Sequence, residues 1–360
     1  MANWPDHRLI DLLGVEHPIL LAPMAGSGGA ELAIAVALAG GLPSLPCAQL
    51  NVDQARDAIR AIREKTSAPL NLNFFCHTPP TPDATRSLAW RARLAPYYTE
   101  LGLDAEAPLP SASRRPFDAD FCALVEEMRP EVVSFHFGLP DAALLARVKA
   151  TGAKILASAT TVAEAQWLAE RGCDAIIAMG SEAGGHRGNF LSDDMSTQVG
   201  TFALVPQVAD AVKMPVIAAG GIADGRGIAA AFALGASGVQ IGTAYLFCPE
   251  SKVGPLHRQA LRDARDDSTA LTNVFTGRPA RGIMNRVMRE MGPMAPVTPP
   301  FPLGGSALAP LRAKTEPEGV SDFINLWSGQ ASRLAQEMPA EALTRKLTAD
   351  ALARLQAIKV

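Results

Sequence analysis

The 360-residue chain has five cysteines, Cys47, Cys76, Cys122, Cys173 and Cys248, an odd number with no CxxC pair and no histidine at zinc-finger spacing. That pattern argues against a disulfide framework and a structural zinc, and leaves buried reduced thiols; no metal is expected. Charge is scarce as well. Charged residues make up 19%, the formal net charge is −3, and Lys and Arg are scattered, so no field gathers nucleic acid or an anionic membrane surface. No stretch of 18 uninterrupted apolar residues occurs, and the opening MANWPDHRLIDLLG lacks the basic-then-apolar order of a signal peptide. The expectation is a cytoplasmic globular protein that binds neither nucleic acid nor membrane.

What is present is alternation. Short apolar runs at 17–24, 42–46, 68–75, 131–138, 153–160, 173–180, 214–221 and 236–243 are each followed by a helical pattern or by a loop leading to one. Runs such as AIIAM and PVIAA are apolar throughout, as strands buried on both faces of a parallel sheet require. Eight such units within about 250 residues predict a (β/α)₈ TIM barrel. The competing doubly wound sheet is disfavoured, because the first turn, PMAGSGGAEL, lacks the GxGxxG fingerprint. Residues 1–251 and 318–360 are assigned to the barrel. Residues 252–317, with the Pro/Gly stretch GPMAPVTPPFPLGG, are assigned to an inserted, mainly helical lid. The stretch 321–336, SDFINLWSGQASRLAQ, reads as an amphipathic closing helix with an N-cap serine.

A barrel carries its reactive groups at the C-terminal ends of its strands. That rule gathers APMAG, NLNFFCH, SFHFG, SATT, GSEAGGHRG, AAGGIADGRG and QIGTAY at one mouth. The seventh and eighth strand ends carry Gly220, Gly221 and Gly242 ahead of helices, whose unpaired N–H groups suit a phosphate. Asn71 and Asn73 share one strand face, and their amides could pair with the edge of a flavin pyrimidine. The backbone of Ala22, Pro23, Met24 and Ala25 could follow the same ring. His186, behind two glycines, is the candidate proton-transfer group. Glu182 is read as orienting the loop or the imidazole or as a solvated carboxylate, Arg187 as an anion ligand or a surface ion pair, and His136 as lining the pocket or, by preference, as packing or support.

Together, APMAG, NLNFFCH, SFHFG, SATT, EAGGHRG, AAGGIADGRG and QIGT resemble the nitronate monooxygenases. The resemblance implies an FMN-binding barrel with an inserted domain that oxidises alkyl nitronates with O2 to a carbonyl compound and nitrite, and it leaves open whether neutral nitroalkanes are used as well. It implies His186 as the residue that abstracts the proton. It implies FMN contacts at Ala22, Pro23, Met24, Ala25, at Asn71 or Asn73, and at Ser158, Gly184, Gly185, Gly220, Gly221, Gln240, Ile241, Gly242 and Thr243. Met179 stands where the family often has glutamine, so one polar contact is missing there or is made by backbone. The partners expected are a small nitronate or nitroalkane and O2, acting on a monomer or homodimer. Two alternatives use the same barrel: an FMN-dependent NAD(P)H:quinone or enoyl-acyl-carrier-protein reductase, or an idle phosphate-ligand-binding barrel.

Overall fold

The computed structural model describes residues 3–110 and 114–358. Residues 1–2, 111–113 and 359–360, which the barrel assignment includes, lie outside the described residues. Eight parallel strands form one sheet: β1 (Ile19–Leu21), β2 (Ser44–Pro46), β3 (Asn71–Phe75), β4 (Val132–His136), β5 (Lys154–Ala159), β6 (Ala175–Met179), β8 (Val216–Ala219) and β9 (Gly238–Ile241). From β2 to β9 each strand pairs with the next in that order, and β9 pairs with β1, Ile19 opposite Val239. Backbone bonds from Leu21 to Leu42 (3.0 Å) and from Leu42 to Ile19 (2.9 Å) join the β2 end to β1 and close the ring. The predicted (β/α)₈ barrel is the observed architecture.

The period of two along each strand explains how a packed barrel becomes a polar mouth. Leu20, Leu42, Val132, Leu156, Ile177 and Ile217 fill the lower interior, where Leu9 and Leu13 of the first helix plug the base. Two residues further along, the same inward face carries Ser134, Ser158 and Met179, and β4 ends at His136. The outward residues, such as Ile19, Leu72, Val133 and Ile176, pack under the surrounding helices in a second shell of core. Among the described residues no helix is long and apolar enough to cross a membrane.

A second core lies beyond the mouth. Trp90, Leu94, Tyr97 and Tyr98 of helix Ala84–Glu100 pack on Val274, Val287, Met288, Leu308, Leu311 and Phe323. Segment 252–317 holds the helices Pro255–Asp263, Arg286–Met291 and Ala309–Thr315. It also holds an antiparallel pair, β10 (Thr269–Thr272) with β11 (Ala280–Ile283), to which β7 (Gly185–His186) adds an edge.

Residues 321–336 do not form the expected closing helix. Their backbone groups are claimed by neighbours: Asn285 Nδ2 donates to the carbonyls of Ser321 (3.0 Å) and Ile324 (2.9 Å), and Gly329 N–H donates to Thr243 Oγ1 at 2.9 Å. The chain closes instead with helix Ala340–Ile358, which packs against helices Gly225–Ala233 and Ala30–Leu38.

Candidate active site

The strand ends and loops surround a cleft of about 1190 Å³, counting its open mouth. Ala22, Pro23, Met24, Ala25, Asn73, Ser158, Met179, Gly184, Gly185, His186, Gly220, Gly221, Gln240, Gly242 and Thr243 all line it. Two of the expected residues do not. Asn71 sits one layer below Asn73, fully buried, with Nδ2 donating to Ser44 Oγ at 2.9 Å. Ile241 follows the strand alternation outward into the barrel-to-helix layer. Sequence reasoning missed Phe75, Arg114, Leu246, Trp327, Ser328 and Gly329, which also line the cleft.

His186 is held by the second body of the protein as much as by the barrel. Its residue pairs with Ala280 across β7 and β11, and Arg187 N–H donates to the Pro279 carbonyl at 2.9 Å. Its Nε2 lies 2.9 Å from Thr276 Oγ1. Phe301, Trp327, Phe137 and Phe75 stand around the ring, at 5.3, 5.5, 6.1 and 6.2 Å between centroids. Phe137 adopts φ +70°, a left-handed conformation rare for a bulky residue, and is held there by this packing. Burial, and then the charge of Arg114, push the His186 pKa well below the usual histidine range. The imidazole is therefore neutral near pH 7, the form that can take a proton.

His136 supports the site from β4. Its Nε2 lies 3.2 Å from the His186 carbonyl oxygen, which can only accept, so Nε2 carries the proton. Burial pushes its pKa down to about 3, so the ring is neutral and Nδ1 is bare. The Ser158 hydroxyl, 2.6 Å away, then donates to Nδ1, and its lone pairs are left for the cleft. Asn73 is oriented in the same way: Nδ2 donates to Ser134 Oγ (3.0 Å) and to the Ser134 carbonyl (3.2 Å), so Oδ1 is left free to accept. Gln240 Oε1 is buried without a partner. A buried orphan acceptor is costly unless a ligand pairs with it.

The other end of the cleft suits an anion. Gly220 and Gly221 have φ of +107° and +72°, and a Cβ at Gly220 would come within 2.9 Å of Ala183 N. Among the described residues, the N–H groups of Gly221, Ile222 and Ala223 have no protein acceptor. The helix that follows differs from the expectation, because Asp224 already caps Arg226 N and Gly227 N. An anion is thus left with the turn 221–223 and the uncapped start of the short helix Thr243–Leu246.

Three neighbouring residues have structural work. Arg187 is fully buried and donates to the carbonyls of Gly180 (2.6 Å) and Met179 (2.8 Å) and to Gln198 Oε1 (2.9 Å), so it is neither an anion ligand nor a surface ion pair. Glu182 anchors its loop by accepting from Thr201 N–H at 2.8 Å. Met179 places an apolar side chain in the cleft and gives its carbonyl to Arg187. Arg114 is the only charged residue among the described lining residues, and none of them is a carboxylate.

A neutral histidine, one cation and an orphan acceptor gathered at the mouth of an α/β barrel make the site of a barrel enzyme. The family model described as nitronate monooxygenase matches residues 6–350. A nitronate monooxygenase of Pseudomonas aeruginosa is 41% identical over 342 residues, 94% of this chain and 97% of that one. The structure of a nitroalkane oxidase from Streptomyces ansochromogenes superposes with a TM-score of 0.87 at 38% identity, covering 97% of this chain and 99% of the other. FabK of Thermotoga maritima superposes with a TM-score of 0.74 at 29% identity, covering 99% of each. The chain belongs to the nitronate monooxygenase family.

Proposed function

We propose that the protein oxidises alkyl nitronates with O2, using FMN, to a carbonyl compound and nitrite. FMN, when bound, supplies the electron-accepting chemistry. The chain supplies the rest. Asn73, Ser158, Gln240 and the backbone from Ala22 to Ala25 would hold the ring, and the turn 221–223 with Gly242 and Thr243 would hold the phosphate. Arg114 would face the nitronate anion, and the aromatic residues exclude water from the reacting carbon. His186 would remove the proton from a neutral nitroalkane or hydrogen-bond the nitronate. Segment 252–317, with helix Ala84–Glu100, would form the lid, and the enzyme would work in the cytoplasm as a monomer or homodimer.

The observation that carries this reading is the neutral His186 in a cleft whose described lining has one cation and no carboxylate. O2 uptake and nitrite release from ethylnitronate, without a nicotinamide and with FMN identified by mass in the released cofactor, would be the expected result. NAD(P)H oxidation in the absence of nitronate would favour the reductase reading.

A further inference from the structure

We propose that Thr276 is a positioning residue for His186: it holds the ring with the proton on Nε2, so that Nδ1 is the atom that takes the substrate's proton. This rests on the function proposed above. Thr276 Oγ1 has three neighbours: His186 Nε2 at 2.9 Å, the Arg278 carbonyl at 3.4 Å and the Arg278 N–H at 3.5 Å. The hydroxyl has one proton to give, and the Arg278 carbonyl can only accept it. Given to that carbonyl, the proton leaves Oγ1 free to accept from Nε2–H, and Nδ1 is bare. Given to Nε2, it forces the proton of the neutral ring onto Nδ1 and points the bare nitrogen at Thr276, away from the cleft. Only the first arrangement leaves a base facing the substrate.

Two further observations favour it. Nδ1 has no protein partner among the described residues, yet it is not among the sealed orphan atoms, and His186 lines the cleft. The contact is also fixed by backbone: Thr276 lies in the turn that leads into β11, and β11 pairs with β7, which carries His186. His186 sits on the edge strand of this small sheet, and Thr276 sits in the connection between its other two strands.

Proton uptake turns His186 into an imidazolium, and the groups facing it are the cations Arg114 and Arg278 and the rings of His136 and His77. None of these accepts a proton from it. Thr276 Oγ1 is the acceptor that stabilises the charged ring, so losing it weakens the base and moves the acid limb of the pH profile to lower pH.

The test is the histidine tautomer, read by ¹H–¹⁵N NMR on FMN-loaded enzyme with ¹⁵N-labelled histidine, the His186 signals being assigned by their loss in His186→Asn. The wild type and Thr276→Ser are expected to show Nε2–H; Thr276→Val should show a mixture. With nitroethane, Thr276→Val should lose kcat/KM roughly tenfold, about 1.4 kcal/mol of transition-state stabilisation, and Thr276→Ser should restore it. An Nδ1–H ring in the wild type overturns the proposal, as does a valine variant with unchanged tautomer and pH profile. Should the valine variant fail to fold, the wild-type tautomer and the serine variant decide. An enzyme inactive on both nitroethane and ethylnitronate would sink the proposed function instead, and the tautomer would still judge Thr276.

Discussion

Arg187 clamps Met179: its Nη2 donates to the Met179 carbonyl at 2.8 Å from a guanidinium with no exposed surface. Nη1 and Nε hold Gly180 and Gln198, so one side chain fixes the end of β6 beside the cleft. Burial pushes its pKa down to about 10, still far above neutrality, so the charge persists. Arg187→Met should remove these three hydrogen bonds, leave the Met179 carbonyl and Gln198 Oε1 without this donor, and cost about 3 kcal/mol or more. Urea unfolding with an unchanged m-value measures it. Arg187→Lys should recover only part, since an ammonium cannot reproduce the planar fork. A methionine variant as stable as wild type would show that the clamp is idle.

Acid should weaken the fold through buried histidine rings, His186, His136 and His77 among them. Burial pushes His136 down to about 3 and His77 to about 4, whereas both titrate near 6.5 in the unfolded chain. Above pH 7 neither ring takes up a proton on unfolding. As pH falls below about 6.5 the unfolded state gains protons that the fold refuses, and His136 alone removes up to about 1.4 kcal/mol per pH unit until its folded pKa is reached. Unfolding free energies at several values between about pH 7 and 5 should show this slope, and His136→Asn should reduce it. An identical slope in the variant would mean that other groups drive the acid sensitivity.

The barrel was legible because strands buried on both faces, such as Ala175–Met179, must be apolar throughout, and that leaves a mark in the sequence. Helix Ala84–Glu100 was legible too, though missed: Trp90, Leu94, Tyr97 and Tyr98 follow helical spacing amid arginines and Pro96. The stretch 321–336 misled because Phe323, Ile324 and Leu326 are apolar for two different cores rather than for one helix face. Thr276 and Trp327 reach His186 from 90 and 141 positions away, and contacts of that kind leave no local period. Asn71 shares the Asn73 face, as the period of two requires, but depth in the barrel separates them.

Arg114 should govern the affinity for anions. Its guanidinium lies 5.7 Å from the Phe301 ring centre, and burial together with the charge of Arg312 pushes its pKa down to about 10, so it stays charged. Arg114→Met should raise the KM for ethylnitronate roughly tenfold or more, the scale of a hydrogen bond to a charged group, and affect neutral nitroethane less. Steady-state kinetics on both substrates at fixed ionic strength separates the two. Equal losses would point to pocket shape rather than charge.

Gly221 has φ +72° and borders the turn whose N–H groups are unpaired, with Glu182 the nearest side chain to a Cβ placed there. Gly221→Asp should strain the turn and set a second carboxylate where the phosphate is expected, so the purified variant should lose its yellow FMN. Full flavin occupancy, measured by absorbance against protein concentration, would move the phosphate elsewhere in the cleft.

His186→Asn tests the base. The glycines beside it remain, and the amide keeps a polar group against Thr276, so cofactor should stay bound. A neutral nitroalkane still carries the proton that His186 would remove, and its kcat/KM should fall roughly 10²–10⁴-fold, the usual range for a lost general base. Ethylnitronate has already lost that proton and should suffer much less. The pH profile gives a second reading. Because the His186 pKa lies well below the usual 6.5, the wild-type ring stays neutral as pH falls through that value, and the rate per neutral nitroethane should hold there and decline only in more acid solution. A decline centred at 6.5 would mean that the imidazole is solvated rather than enclosed by Phe301 and Trp327. Equal losses on the two substrates would reduce His186 to a binding group, since a base cannot matter to a substrate with no proton left to give.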